Sequence, residues 1–234
     1  MRKETLTDTG ASNVSWSEGV NFVRSRKKVY GAYLLGAPFI VISLYALQAW
    51  VPTLLIRVHG MDIADAGRSY GSIALLCGSA GVLSGPILAK YFTRKGHTDA
   101  GLRVATLAAA ALLPAIVFAG FTADTTLALV AIGASSFFVT VPMALFTTGL
   151  QAVTPNEMRG VIAGIYVVIV NLFGLALGPT SVALVTDYVF ADAGAVGASM
   201  AVVCAVSLPV AMLMFYLGMG EGSSSDSEGA VVGH

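Results

Sequence analysis

Charge is what this sequence has least of: Asp, Glu, Lys and Arg together make up 11% of its 234 residues, against 56% hydrophobic residues. With a mean hydropathy of +0.80, that balance lies outside what a soluble domain hides in one core. Lys and Arg number 13, as do Asp and Glu, so the chain as a whole lacks the basic footprint that nucleic acid requires. Only two cysteines are present, Cys77 and Cys204, without a CxxC pair or a histidine neighbour. A disulfide framework and a thiolate metal site are therefore not encoded, and both thiols are expected as small packing residues. His59 and His97 fall in separate polar stretches and His234 is the last residue. No base stands beside a nucleophile within an apolar stretch, which argues against intramembrane proteolysis or acyl transfer. GASSF at 133–137 is a nucleophile elbow only superficially, and its small residues suit close helix packing. An arginine ladder and a TVGYG filter are also missing, as a voltage sensor or potassium-type pore would need. No cofactor is called for, and the chain is read as a non-enzyme.

What is there is a set of long uncharged intervals. Lys28 to Arg57 encloses 28 residues, Arg68 to Lys90 encloses 21, Arg103 to Asp124 encloses 20, Asp124 to Glu157 encloses 32, Arg159 to Asp187 encloses 27, and Asp192 to Glu221 encloses 28. Each matches or exceeds the ~20 apolar residues that cross a hydrocarbon layer as a helix. Stretches such as LLGAPFIVISLYAL and VATLAAAALLPAIVFAG are apolar all round and show none of the alternation of a β-barrel strand. The expected fold is an all-α membrane protein of six transmembrane helices within a 29–220 domain, at about 30–56, 69–89, 104–123, 125–153, 160–186 and 194–219. The lipid bilayer is its first partner.

Basic residues give the orientation. Eleven of the 13 lie before the first span, between the second and third, or between the fourth and fifth, leaving Arg57 and Arg68 for the other side. By the positive-inside rule both termini are expected in the cytoplasm, in a plasma or bacterial inner membrane. Residues 1–28 read as a cytoplasmic linker in which SWSEGVNFVRSRKK forms either a surface helix or a plain basic flank. The early residues lack the apolar core of a signal peptide, so the first span is expected to direct insertion. Residues 221–234 read as a disordered cytoplasmic tail.

Polar groups at membrane depth are expensive and face a cavity or another helix. The candidates are Tyr45 and Gln48 on the first span, Thr140, Thr147 and Gln151 on the fourth with Phe146 nearby, and Asn171 on the fifth. Hydroxyls have a bland alternative, since Thr and Ser commonly bond their own helix backbone. Gly81 with Gly85, and Gly174 with Gly178, form two GxxxG pairs that bring a neighbouring helix very close, either as internal packing or at an interface with another unit. Glu157 precedes Arg159 at the start of the fifth helix, where an acid suits the positive end of the helix dipole.

WVPTLLIRVHGMDIADAG (50–67), GVLSGPILAKYFTRKG (81–96), and TPNEMRG (154–160) followed by NLFGLALGPTSVALVTDYVF (171–190) occur in an order that resembles the carboxy-terminal six-helix half of a major facilitator superfamily transporter. The spinster-like branch is the nearest likeness. The resemblance implies half of a facilitator-type twelve-helix bundle, with residues 1–28 matching the linker between halves and Met1 an internal methionine of a longer frame. It further implies transport by alternating access of a small organic or amphipathic solute, such as a lysophospholipid, an organic anion or a sugar acid. The central cavity would be lined by the first and fourth spans. Gly81, Gly85, Gly174, Gly178 and Pro179 would face an amino-terminal six-helix half, and Arg94, Lys95 and Arg159 would brace the inward-closed state. Lys90 stands where the family motif usually carries an aspartate, which puts that particular latch in doubt. A self-sufficient homodimer and a non-transporting membrane scaffold or subunit are the alternatives. Mid-membrane, these spans carry no Asp, Glu, Lys or Arg, so a proton or ion relay is not expected within them.

Overall fold

The computed structural model describes residues 26–219; most of the expected linker, with its surface helix, and the tail at 221–234 lie outside the described residues. Six apolar helices follow one another: α1 (Lys27–Arg57), α2 (Ile63–Arg94), α3 (Ala100–Phe121), α4 (Thr125–Ala152), α5 (Asn156–Phe190) and α6 (Ala193–Gly218). They are joined by short turns, two of which use left-handed glycines, Gly60 at φ 64° and Gly96 at φ 85°, a conformation that costs glycine little. The chain thus runs up and down, with a basic end carrying Lys27, Lys95, Arg103 and Arg159 and an opposite end carrying Arg57 and Arg68.

Several helices outrun the uncharged intervals. Lys27 and Lys28 form the first turn of α1. Residues Asp65 and Arg68 lie in the first turns of α2, which continues to Arg94 at its far end. Past Asp187, α5 continues to Phe190 and ends on Ala191 at φ 51°. An uncharged interval measures the length that hydrocarbon can cover, whereas a helix can continue through the headgroup layer, where charges are solvated. Between Thr140 and Met143, α4 is interrupted by Val141 and Pro142, because proline lacks the N–H that continues the ladder. A wide, π-type turn at Ala32–Gly36 in α1 ends two residues before Pro38, which offers no N–H to the carbonyl four residues earlier.

In the packed unit α1 contacts α4, α5 and α6, α3 lies between α4 and α6, and α2 rests on α4. Burial separates inner from outer helices: 50% of the most apolar window of α1 and 56% of that of α4 are buried, against 17% in α2 and 22% in α5. The core is apolar, with Leu47, Leu54, Leu112, Ile132, Leu208 and Phe215 fully enclosed. Within it the Ser43 and Ser207 hydroxyls lie 3.2 Å apart, and the Cys204 thiol, 3.5 Å from the Ser43 oxygen, donates to it.

Both GxxxG pairs are used inside this unit, each bringing its helix onto a neighbour. A Cβ on Gly81 would stand 2.2 Å from Thr140 Oγ1 and 2.4 Å from the Phe137 carbonyl oxygen, and one on Gly85 would stand 2.1 Å from the Val141 carbonyl oxygen. On α5, a Cβ at Gly174 would meet Val41 at 2.5 Å and Tyr45 at 2.8 Å, and one at Gly178 would meet the Ile42 carbonyl oxygen at 2.8 Å. A third contact carries no sequence motif. Gly120 of α3 and Gly197 of α6 oppose each other, so that a Cβ on either lies 2.4 or 2.2 Å from the other's carbonyl oxygen.

Replacing Gly85 by Ala forces α2 away from a backbone carbonyl that cannot rotate aside, at a cost of about 1–3 kcal/mol. Gly164, with nothing within 4 Å of its Cβ position, serves as the control. Thermal unfolding in detergent should show a clear fall in Tm for Gly85→Ala and none for Gly164→Ala. Equal behaviour of the two would contradict this packing.

Candidate solute-facing seam and basic-end network

The clearest meeting of candidate residues lies where α5 crosses α1. Because Gly174 and Gly178 lack side chains, α5 lies directly on Tyr45, whose ring approaches the Cβ position of Gly174 and whose Cβ approaches that of Gly178. One turn earlier on α5, the Asn171 amide oxygen accepts from the Tyr45 hydroxyl at 3.0 Å, while its Nδ2 donates to the Val167 carbonyl at 2.8 Å. Two turns later the Trp50 indole N–H donates to the Pro179 carbonyl at 2.9 Å. Asn171 and Gln48 are exposed and Tyr45 is half-buried, so the seam presents two amides and a phenol at mid-span. Pro179 is thereby tied to Trp50 of this same unit.

The fourth-span candidates divide. Thr140 Oγ1 lies 2.9 Å from the Gly78 and Ser136 carbonyl oxygens and 3.0 Å from that of Phe137. Its single proton goes to one of these three carbonyls, of which only that of Gly78 lies across the α2–α4 contact, so Thr140 takes part in helix packing. Phe146 is 1% exposed, with its ring 5.5 Å from that of Phe215; it belongs to the core. Thr147 and Gln151 are exposed, one turn apart, and no hydrogen bond joins them to the Tyr45–Asn171 pair among the described residues. Helical spacing placed Thr140, Thr147 and Gln151 on one face, but the break at Pro142 re-aims the second half of the helix.

At the basic end Arg159 Nε donates to the Gln151 carbonyl at 2.9 Å and the Thr154 carbonyl at 3.1 Å. These carbonyls belong to the end of α4 and the turn after it, where the helix lacks further N–H partners. Thr154 itself is buried; its hydroxyl donates to the Leu150 carbonyl at 2.6 Å and lies 3.0 Å from the Tyr30 hydroxyl. Arg159, Thr154 and Tyr30 together pin the α4–α5 turn to the start of α1. Sequence reasoning missed Tyr30 and Thr154, although a tyrosine two residues after Lys28 is the usual signal of a membrane boundary. Lys95 Nζ sits 4.5 Å from the centre of the Tyr91 ring, a cation–π contact. Arg94 and Lys90 are exposed, and neither forms an ion pair among the described residues.

Comparison with known proteins places this geometry. The chain aligns at 27% identity over 172 residues with an "MFS-type efflux pump" of Mycolicibacterium smegmatis, covering 73% of this chain and 39% of that protein. It aligns at 26% over 196 residues with the "Probable galactarate/D-glucarate transporter GarP" of Escherichia coli, covering 83% and 42% respectively. The chain thus spans about two-fifths of the length of these relatives. Its fold is that of a bacterial homolog to the human lysosomal transporter Spinster, solved in two inward-facing conformations. The unoccupied one matches with a TM-score of 0.62 at 18% identity, over 92% of this chain and 51% of that one. For the occupied one the TM-score is 0.67 at 19% identity, over 82% and 49%. The profile of the Major Facilitator Superfamily matches residues 2–179, and this integral membrane protein belongs to that superfamily.

Proposed function

We propose that the chain supplies one wall of the solute pathway of a secondary transporter and works with a second six-helix unit by alternating access. The observation that carries this reading is the pair of exposed mid-span amides, Gln48 and Asn171. An amide facing hydrocarbon loses its hydrogen bonds to water, so such groups face a cavity. Two further features support it. The transporters it resembles are more than twice as long as the matched region, and facilitators bind solute at the interface between repeats. In addition, α2 and α5 leave Leu75, Leu83, Ile87, Leu172 and Leu175 exposed, apolar surface that suits another helical unit or lipid.

The solute group that this wall contacts is uncharged and hydrogen-bonding. Asn171 keeps one amide proton and Gln48 its whole amide, and no ionised side chain lies mid-span on this face. A sugar acid such as D-glucarate, named for one relative, would turn its hydroxyls to this wall and leave its carboxylates to the opposite one. The basic end is placed in the cytoplasm of a plasma or bacterial inner membrane, since Lys and Arg in short loops resist translocation.

Uptake of labelled D-glucarate and of a labelled lysophospholipid, measured with the chain alone and with a matching amino-terminal half, tests the assignment. Transport is expected only with both halves. Uptake by the chain alone supports a homodimer instead, and no uptake of either solute in any combination leaves the scaffold reading ahead. In the active pair, Gln48→Leu and Asn171→Leu should each lower uptake roughly tenfold, the effect of about one lost hydrogen bond in a desolvated site. Full activity of both variants would remove the seam from the pathway. Orientation is tested in a background lacking Cys77 and Cys204: an impermeant maleimide added outside cells should label Ala123→Cys and spare Thr98→Cys.

A further inference from the structure

A cavity of about 690 Å³ opens at the basic end, between α1, the end of α2, the start of α3 and the second half of α4. None of the residues of the Tyr45–Asn171 seam lines it, and its volume is that of a small-molecule site. Tyr33 forms its floor. This side chain is 6% exposed and reaches between two glycines: a Cβ on Gly149 would stand 2.2 Å from its hydroxyl oxygen and one on Gly101 3.7 Å. Any residue other than glycine at 149 would push the ring out. Among the described residues the Tyr33 hydroxyl has no hydrogen-bond partner, and its oxygen is not sealed off but opens to the cavity.

The adjoining wall is the first turn of α3. Ala100, Gly101 and Leu102 line the cavity, and their N–H groups belong to the set that no intrahelical carbonyl satisfies. The residue placed to cap them, Asp99, makes no such bond. Its carboxylate, 10% exposed, accepts from Arg103 Nε at 2.8 Å, so the acid in the cavity wall is already paired with a cation. Arg26 stands in the lining and Thr98 at its exposed rim. Thr93 and Thr148 give their protons to the Ala89 and Ala144 carbonyls. The uncommitted donors are therefore the Tyr33 hydroxyl and the α3 amides, beside the positive end of a 22-residue helix. This combination selects an anion with several acceptor oxygens.

We propose that this cavity is a second binding site, distinct from the solute pathway, for a phosphate group held by Tyr33 and the first turn of α3. Bound there, the phosphate joins the start of α1 to α3 and α4 and braces the basic end. A phosphate of this kind comes either from an anionic lipid headgroup in the adjacent leaflet or from solution.

The test is the thermal stability of the full chain reconstituted in nanodiscs, at ionic strength held constant with chloride. In one arm phosphatidylcholine discs are titrated with inorganic phosphate, and in the other phosphatidylglycerol replaces phosphatidylcholine in steps. A saturable rise in Tm is expected in at least one arm; a rise with free phosphate assigns the soluble anion, and a rise with phosphatidylglycerol alone assigns the lipid. Tyr33→Phe, which removes only the hydroxyl, and Thr98→Glu, which sets a negative charge at the exposed rim, should each weaken the half-saturation point at least fivefold. If Tyr33→Phe fails to fold, Thr98→Glu decides alone. No saturable rise in either arm, or the same curve in wild type and Thr98→Glu, would overturn the proposal.

Discussion

Backbone-to-backbone contact at glycine is what the rest of this structure depends on. Lipid tails are as apolar as Leu, so burying one apolar helix against another gains little by the hydrophobic effect, and association rests on dispersion and hydrogen bonding at close range. Gly81 and Gly85 bring α2 onto the carbonyls of α4, Gly174 and Gly178 bring α5 onto α1, and Gly120 with Gly197 join α3 to α6. Each contact has carbonyl oxygens or rigid side-chain atoms at distances no Cβ tolerates. The inner pair, α1 and α4, thus receives the two outermost helices at fixed depths, and every longer side chain is placed relative to those points.

Hydrogen bonds across the seams follow from that depth. Tyr45 reaches Asn171 and Trp50 reaches the Pro179 carbonyl because α5 lies close enough for side chains to span the gap. Thr140 reaches the Gly78 carbonyl for the same reason on the other side. In the core, Ser43, Ser207 and Cys204 satisfy one another where α1 meets α6. Such bonds contribute about 0.6 kcal/mol each on average in membrane proteins, too little to drive assembly and enough to choose one rotation of each helix over its neighbours.

This division of labour explains which features can be read from the chain alone. Charges cannot be carried through hydrocarbon, so their spacing marks six helices directly. Helix ends are harder, since Ile63 to Arg68 and Asp187 to Phe190 continue a helix in a layer where charge is tolerated. The GxxxG pairs are visible as motifs, but a motif does not say which neighbour it meets, and both meet helices of this same unit. Tyr45 and Asn171 stand out as polar residues at depth, and the structure joins them. Thr140 stands out equally, and its hydroxyl lies among backbone carbonyls of α2 and α4. Phe146 was placed by proximity in sequence, and the change of direction at Pro142 turned it inward to Phe215. Tyr33 carried no signal, because its distinction arises from Gly101 and Gly149, more than sixty residues away in the chain.

The same contacts bear on how such a unit moves. Rocking of one half against another requires that each half keep its internal arrangement while the interface changes. Here the helix that carries the seam, α1, is held along its length: by Thr154 at Tyr30, by Ser207 at Ser43, by Gly174 and Gly178 beside Tyr45, and by Pro179 at Trp50. Arg159 strengthens the first of these by gathering the free carbonyls at the end of α4. The bonds of its Nε are made within the unit, so it keeps the α4–α5 turn in place. With α1 fixed at four levels, the Tyr45–Asn171 contact is set by packing within the unit, which is the condition that rocking as a block imposes on each half.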